Sequence, residues 1–345
     1  FLITEHAHVF WNKYRYEQSF ITGAYAGFQD LGGLTAFCNS INARDKRMSS
    51  FCIFNDPIQK ASEFLTAFLF LRGDVKTASH HIRLMLDPRE IALSGELGDT
   101  VSGMQSRLAL VTGFGIDGGM PLRRGELKIS RSGGAKVTVR KMEMLVSDSS
   151  RTLFDFDRFL TGLRHKGYLP ANNSSSMKRE IFESSTGELF LDCKRNFMRI
   201  ETPRFQGICG EKGSRVNLKN LSIQEMECAG NLSLVSLNAE EDLAVAKRMV
   251  LVFATNALNS NMVFSDVSFR EVVDWGKLPV LLETGKFKVK VRNIYAGKAK
   301  VYALGLDGAR RYPVPVQYTG DSLELEIDTG TMPGGPSIYF EIVAD

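Results

Sequence analysis

The hydrophobic pattern changes period near residue 75, and that change restricts the chain to a composite fold. Before it, short apolar runs alternate with helical stripes. Residues 1–4 form an apolar run ending at Glu5, and a loop with Trp11 and Asn12 follows. Phe20, Ile21, Ala24 and Phe28 then lie at one-face helical spacing within residues 14–29. Gly32-Gly33 breaks that helix, and residues 34–37 supply a second apolar run. Asp56-Pro57 places an N-cap and a first-turn proline ahead of a stripe of Ile58, Ala61, Leu65, Phe68 and Leu69. Gly73, just past Arg72, occupies the C-cap glycine position. The order is β-α-β-α with apolar strands, the pattern of a parallel sheet covered by helices.

After residue 75, short segments rich in β-formers recur as far as residues 338–342. They alternate apolar and polar residues, with Gly, Asn, Asp and Pro between them. This reads as antiparallel sheet closing into a sandwich. The exception is residues 150–165, where Phe156, Phe159, Leu160 and Leu163 mark one amphipathic helix. With the polar stretch 172–176 as a linker, three regions are expected. They are the α/β segment 1–75, a β-rich connecting region 76–176 with one short helix, and an antiparallel β-sandwich domain 177–345.

A length of 345 residues suits two or three such regions, and 43% hydrophobic with 24% charged residues places the chain among globular proteins rather than disordered or fibrous ones. No apolar run approaches the roughly 20 residues of a membrane-spanning helix. The 43 basic and 39 acidic residues are interspersed, so no basic run points to nucleic acid or to a membrane surface. Five cysteines form no CxxC pair, which indicates neither a disulfide framework nor a structural zinc site. The chain opens on Phe1-Leu2-Ile3-Thr4-Glu5 without initiator Met or cap, and a lone strand is marginal. It is therefore read as a piece of a longer protein. Any targeting segment would lie upstream, so the sequence assigns no compartment, and it assigns no oligomeric state.

Glu5 is the leading catalytic candidate, because side chains at the C-terminal ends of parallel barrel strands line active sites and a carboxylate there can act as nucleophile or acid/base. His6, His8, Trp11, Asn12, Tyr14 and Arg15 crowd the loop behind it. Aromatic faces with amide and guanidinium donors suit a sugar ring, which is apolar on its faces and hydroxylated at its edges. The plain alternative is a strand-end Glu beside an amphipathic loop. His6-x-His8 lacks a third ligand at usable spacing, so no metal and no cofactor is assigned. Gly113-Phe114-Gly115-Ile116-Asp117-Gly118 matches the dinucleotide-binding string, but no amphipathic helix follows it, and a glycine-rich turn is expected. Asp155 and Asp157 are read as helix N-terminal residues, and Cys38 as a buried thiol. Asn172, Asn173 and Asn231 fit glycosylation sequons.

Ile3-Thr4-Glu5-His6, Phe10-Trp11-Asn12-x-Tyr14-Arg15-x-Glu17 and Gly23-Ala24-Tyr25-Ala26-Gly27-Phe28-Gln29-Asp30 together resemble the last two β/α units of retaining glycoside hydrolases. The group is the (β/α)8-barrel one that includes β-galactosidase and agarase-like enzymes. There the seventh strand ends in a Thr-Glu whose Glu is the nucleophile. The strand and helix after it resemble residues 34–39 and 57–72. Ser185-Thr186-Gly187-Glu188 and Glu201-Thr202-Pro203-Arg204 look like parts of the β-rich accessory regions of such enzymes. The sharp resemblance covers about the first 75 residues.

By that resemblance Glu5 is the nucleophile, about 5 Å across the scissile bond from an acid/base carboxyl. That second Glu belongs to the fourth strand of the barrel, which has no counterpart here. A barrel needs about 250 residues. The resemblance thus implies a fragment of a glycosidase acting on a poly- or oligosaccharide, inactive when isolated, whose parent would suit a periplasmic or secreted location. The competing expectation is a non-catalytic carbohydrate-binding or structural β-sandwich protein, with Trp275, Tyr295, Tyr302 and Tyr312 as a sugar platform. Sugar identity, linkage and endo or exo action are not encoded in any motif present.

Overall fold

A computed structural model describes residues 1–8, 11–37, 47–49, 52, 54–85, 103–117, 126–130, 136–139, 142–145 and 155–344. The chain is a mixed α and β protein dominated by antiparallel sheet, and no closed barrel occurs among the described residues. It divides into two compact units. The first comprises Phe1–Gly27, Leu31–Val75 and Arg195–Asp345; the second comprises Phe28–Asp30 and Lys76–Lys194.

In the first unit, the strand Leu2–His6 pairs in parallel with Gly33–Ala36, as the β-α-β-α order requires. Among the described residues the pair forms a two-stranded sheet, and Leu2, Thr4 and Glu5 are exposed. The connecting segment is less regular than the single helix expected over 14–29. It winds as a 3-10 turn at Arg15–Glu17, a π-helix at Ser19–Ala24 and an α-turn at Tyr25–Phe28. The next helix, Pro57–Thr66, begins where the sequence places it. Asp56 caps it by accepting from the amides of Ile58 at 3.0 Å and Gln59 at 3.2 Å. Ile58, Ala61, Leu65 and Leu69 are buried along one stripe, and Gly73 follows Arg72 at φ 71°.

The remainder of this unit is dominated by two antiparallel sheets, with two small two-stranded ones beside them, Ala257–Ser260 with Lys277–Leu282 and Val263–Phe264 with Val272–Asp274. The larger runs in the order Arg310–Val314, Ala299–Leu304, Tyr339–Ala344, Arg248–Ala254, Gly230–Ser236, Phe205–Gly210, Phe197–Glu201. The smaller has five strands, in the order Val216–Asn217, Leu221–Met226, Lys286–Arg292, Ser322–Asp328, Gln317–Thr319. Successive side chains of a strand point to opposite faces, and the ring contacts follow that rule. Phe340 meets Phe287 of the smaller sheet at 5.7 Å, while its neighbour Tyr339 meets Phe64 of the Pro57–Thr66 helix, also at 5.7 Å. Phe253 packs on Phe287 at 4.7 Å, and Phe205 packs on Phe20 of the helical segment at 5.9 Å.

The larger sheet is therefore the middle layer, covered on one face by sheet and on the other by helix. Its central strands Phe205–Gly210 and Gly230–Ser236 are buried at every position for that reason. The smaller sheet has one wet face. Lys286–Arg292 alternates in burial, and its outward lysines sit directly opposite acids: Lys286 with Asp328, Lys288 with Glu326, Lys290 with Glu324.

The second unit departs from the antiparallel expectation. His81–Met85 pairs in parallel with both Gly113–Asp117 and Glu126–Ser130. The expected glycine-rich turn is thus a strand over Gly113–Asp117, and residues 118–125 lie outside the described residues. Gly113 fits because it has no side chain. A Cβ there would sit 2.3 Å from Nδ1 of the paired His81. Phe114, on the other face, joins a core of Ile82, Leu108, Val111, Phe156, Leu160, Leu163, Leu169 and Phe182. The helix Phe156–His165 supplies Phe156, Leu160 and Leu163 to it, and residues 150–154 of the longer expected helix are outside the described set. Asp155 caps that helix through the Arg158 amide, and Asp157 accepts from the amides of Met177 and Lys178. Both acids are structural.

Among the described residues no helix is long and apolar enough to cross a membrane. Cys52, Cys193, Cys209 and Cys228 form no disulfide among the described residues, and Cys38 lies outside them. Asn231 is fully buried, bonded to the Tyr16 carbonyl and Ser19 Oγ, so its sequon is closed to a glycan in the folded state.

Candidate active site

Glu5 lies one residue from the end of Leu2–His6, with its side chain exposed. The parallel register shifts between Ile3 and His6, so the ladder is interrupted at Thr4 and Glu5. An irregularity of this kind re-aims a side chain, and such features are common beside active sites. Past it the strand closes again, with the Phe37 amide donating to the His6 carbonyl at 2.9 Å.

His6 and His8 are both half-buried. Burial lowers the pKa of His6, and burial together with His6 lowers that of His8, so both imidazoles are neutral at neutral pH. Nδ1 of each is buried with no hydrogen-bond partner among the described residues. The His8 amide donates to Oε1 of the buried Gln18 at 3.1 Å, which ties the strand exit to the start of the π-helix. Phe10 lies outside the described residues.

The next four candidates divide between surface and interior. Asn12 organises the turn, its Oδ1 accepting from the Tyr14 amide at 2.8 Å and its carbonyl from the Arg15 amide at 3.2 Å. Tyr14 is half-buried beneath Lys13 Nζ, 5.0 Å from the ring centre. Trp11 is half-buried and meets Trp275 at 5.5 Å with the ring planes at 79°. Arg15 points inward and is fully buried. Its Nη1 bonds Asp56 Oδ2 at 2.5 Å and its Nη2 bonds the Ala257 carbonyl at 2.5 Å. Arg15 therefore anchors the loop to the N-cap of the Pro57–Thr66 helix and to the strand Ala257–Ser260. Its guanidinium is not at the surface beside Glu5.

Three spatial relations here were not readable from sequence, although Asp56 was read as a cap and Trp275 as part of a sugar platform. Asp56 is both helix cap and counter-ion, and only its cap signal was readable. Trp275 meets Trp11 from a distant part of the chain. Glu17 lies in a mostly buried setting with Glu211 acting on it, and burial followed by that second carboxylate pushes its carboxyl up to about 7. Glu211 is held by Asn196 Nδ2 at 3.3 Å. The same burial raises the Tyr16 phenol, whose carbonyl accepts from the buried Cys209 thiol at 3.6 Å.

The Glu17 shift makes stability depend on pH. An acid whose folded pKa exceeds its unfolded value of 4.5 costs nothing while protonated in both states. It destabilises the fold progressively as pH rises through the interval from 4.5 to about 7. Glu17→Gln is expected to raise unfolding free energy at about pH 8 by on the order of 2 kcal/mol and to change it little at about pH 4. Urea denaturation at both pH values checks this, and an equal effect at the two would exclude the carboxylate charge as its cause.

Among the described residues no group of three or more His, Cys, Asp or Glu is placed to hold a metal ion. The tyrosines proposed as a platform are dispersed. Tyr302 pairs with Pro313 and Tyr312 with Ala303, which puts the two tyrosines on opposite faces of their sheet. Tyr295 sits at a 3-10 turn beneath Lys247.

No protein-family model matches the chain, and no curated protein matches it. Its function is therefore argued from its own residues.

Proposed function

We propose that this chain carries the nucleophile-bearing part of a retaining glycoside hydrolase acting on a poly- or oligosaccharide, with Glu5 as nucleophile. The observation that carries the reading is the parallel pairing of Leu2–His6 with Gly33–Ala36, which places an exposed Glu5 at a break in the ladder near the strand's C-terminal end. Neutral His6 and His8, half-buried Trp11 and the turn-forming Asn12 follow it closely. Neutral imidazoles can hydrogen-bond sugar hydroxyls without adding a charge beside the carboxylate.

In this reading the Glu5 carboxylate attacks the anomeric carbon while a second carboxyl, on a barrel strand outside these 345 residues, protonates the leaving oxygen. Water then attacks the glycosyl ester, deprotonated by that same second group, and the anomeric configuration is retained. The β-sandwich buttresses the α/β segment through the helix and sheet contacts of Phe20, Phe64 and Tyr339.

The two-stranded extent of the parallel sheet favours a second reading, a carbohydrate-binding β protein without catalysis. Stereochemistry and labelling decide between them. NMR of the first-formed product of the complete protein should show a retained anomer, and a 2-deoxy-2-fluoro glycoside should label the peptide holding Glu5. Inversion, or a label on another residue, would overturn the assignment of Glu5. Saccharide retention on a column without hydrolysis would favour the second reading.

A further inference from the structure

The five-stranded sheet has an edge that its own chain covers only in part. Gln317–Thr319 pairs with Ser322–Glu324 around the turn at Gly320 and Asp321, and Tyr318 Oη holds that strand by donating to the Ala299 carbonyl at 2.7 Å. There the ladder stops. Continued in register, Pro315 would face Glu326, and proline has no amide to donate. The chain departs instead for the larger sheet, where Pro313 and Val314 pair with Tyr302 and Val301. Which peptide groups face the edge follows from the other flank of the strand. The Asn293 amide donates to the Asp321 carbonyl at 3.0 Å, just outside the pair of Arg292 with Ser322. That pair is therefore of the non-hydrogen-bonded kind. By alternation Leu323, Leu325 and Ile327 turn their peptide groups toward Lys286–Arg292, while Glu324 and Glu326 turn theirs outward. Glu324 meets Gln317, but Glu326 has no strand beside it on this flank among the described residues.

We propose that this edge receives an extended polypeptide segment of alternating basic and apolar residues, added as a further strand beside Glu326. The outward amide and carbonyl of Glu326 are the groups that strand addition uses for affinity. Beside them lies a recess of about 130 Å³ lined by Pro315, Val316, Leu325, Lys288, Glu324 and Glu326. A cavity of roughly 150 Å³ takes a benzene molecule, so the recess has room for the aliphatic stem of a lysine or arginine. Charge selects that side chain. Glu324, Glu326 and Asp328 form an acidic row on the wet face, paired on one flank with Lys290, Lys288 and Lys286. The Glu326 side chain is 73% exposed, and on its other flank no strand answers it among the described residues. Opposite charges across a sheet stabilise it and like charges oppose it, so a basic residue suits the place facing Glu326. The sequence neighbours of that residue turn to the inner face, where Leu325 and Ile327 are buried, and are therefore apolar. A second copy of the same edge would set acids against acids, which disfavours self-pairing. The edge shares no residue with the site around Glu5 and would serve this chain whether or not it is a glycosidase.

A blocked, fluorescein-labelled heptapeptide of alternating lysine and valine, titrated against the 345-residue protein and followed by anisotropy, tests the edge. It should bind saturably, with the glutamate–valine counterpart about tenfold or more weaker. N-methylation of the lysine amides keeps the charge and removes the main-chain ladder, and should also weaken binding about tenfold. Glu326→Lys should weaken the lysine peptide about tenfold and Glu326→Gln about threefold. Circular-dichroism melts of both variants should stay close to the parent's, because the carboxylate is exposed and such ion pairs contribute little. Hydrogen exchange over residues 324–328 should slow when the peptide binds. Equal binding of the N-methylated peptide would leave charge attraction alone, and undiminished affinity in Glu326→Lys would place the peptide elsewhere. Either result overturns the proposal, as does a failure of every peptide to bind. Exchange over the same residues that slows when the protein alone is concentrated would give the edge to a second copy and overturn it too.

Discussion

Glu5→Gln in the complete protein is expected to lower turnover of an activated aryl β-glycoside by about a thousandfold or more, with little change in stability. The rate effect follows from covalent catalysis. An amide cannot form the glycosyl ester, and removal of a nucleophile typically eliminates most of the rate enhancement that depends on it. The stability effect follows from position, since Glu5 is exposed near the end of its strand and substitutions at exposed places usually stay within about 0.5 kcal/mol. The small azide anion should fit the space left by the carboxylate oxygen and restore part of the rate by forming a glycosyl azide of inverted configuration. Steady-state kinetics with and without azide, beside a thermal melt, provide the test. A variant that keeps a tenth of the activity would rule out Glu5 as nucleophile. An activity loss that tracks a lowered melting temperature would assign Glu5 a structural role instead.

What could be read from sequence was local. The Pro57–Thr66 helix announced itself through Asp56, Pro57 and a 3.6-residue stripe, because the cap and the buried face act within a few residues of each other. The same holds for Asp155 and the Phe156–His165 helix. Legibility failed where the deciding contact is distant. Gly113–Asp117 looks like a turn by composition and becomes a strand because His81 lies across Gly113. Strands Phe205–Gly210 and Gly230–Ser236 show no wet face, since the residues covering them come from residues 1–75 on one side and from the five-stranded sheet on the other. At the site, Glu5 was reachable through a local motif and its strand-end setting. Trp275 was named as part of a tyrosine-rich platform, but its pairing with Trp11 was not legible, because nothing local says which ring it will meet. Arg15 illustrates the limit from the other direction. A guanidinium in a polar loop is chemically suited to a sugar, but its length also lets it reach a buried acid, and residue type does not distinguish the two.

The buried Arg15–Asp56 pair sets the second large expectation. Both side chains are fully buried, and burial alone disfavours each charge: it pulls the guanidinium down and pushes the carboxyl up, while each partner opposes the other's shift. Two backbone amides of the helix N-terminus add to what holds the Asp56 carboxylate ionised. Removing one partner leaves a charge in the interior with nothing to balance it. Arg15→Met should therefore cost about 3–5 kcal/mol of unfolding free energy. Asp56→Ala should cost at least as much, because it also removes a cap worth about 1 kcal/mol. The double variant Arg15→Met with Asp56→Ser leaves no stranded charge and keeps a capping hydroxyl, so it should be more stable than either single variant. Urea denaturation of the parent, Arg15→Met, Asp56→Ser and this double variant gives the coupling free energy. A cost below about 1 kcal/mol for Arg15→Met, or strictly additive losses, would mean that water or another group compensates the pair.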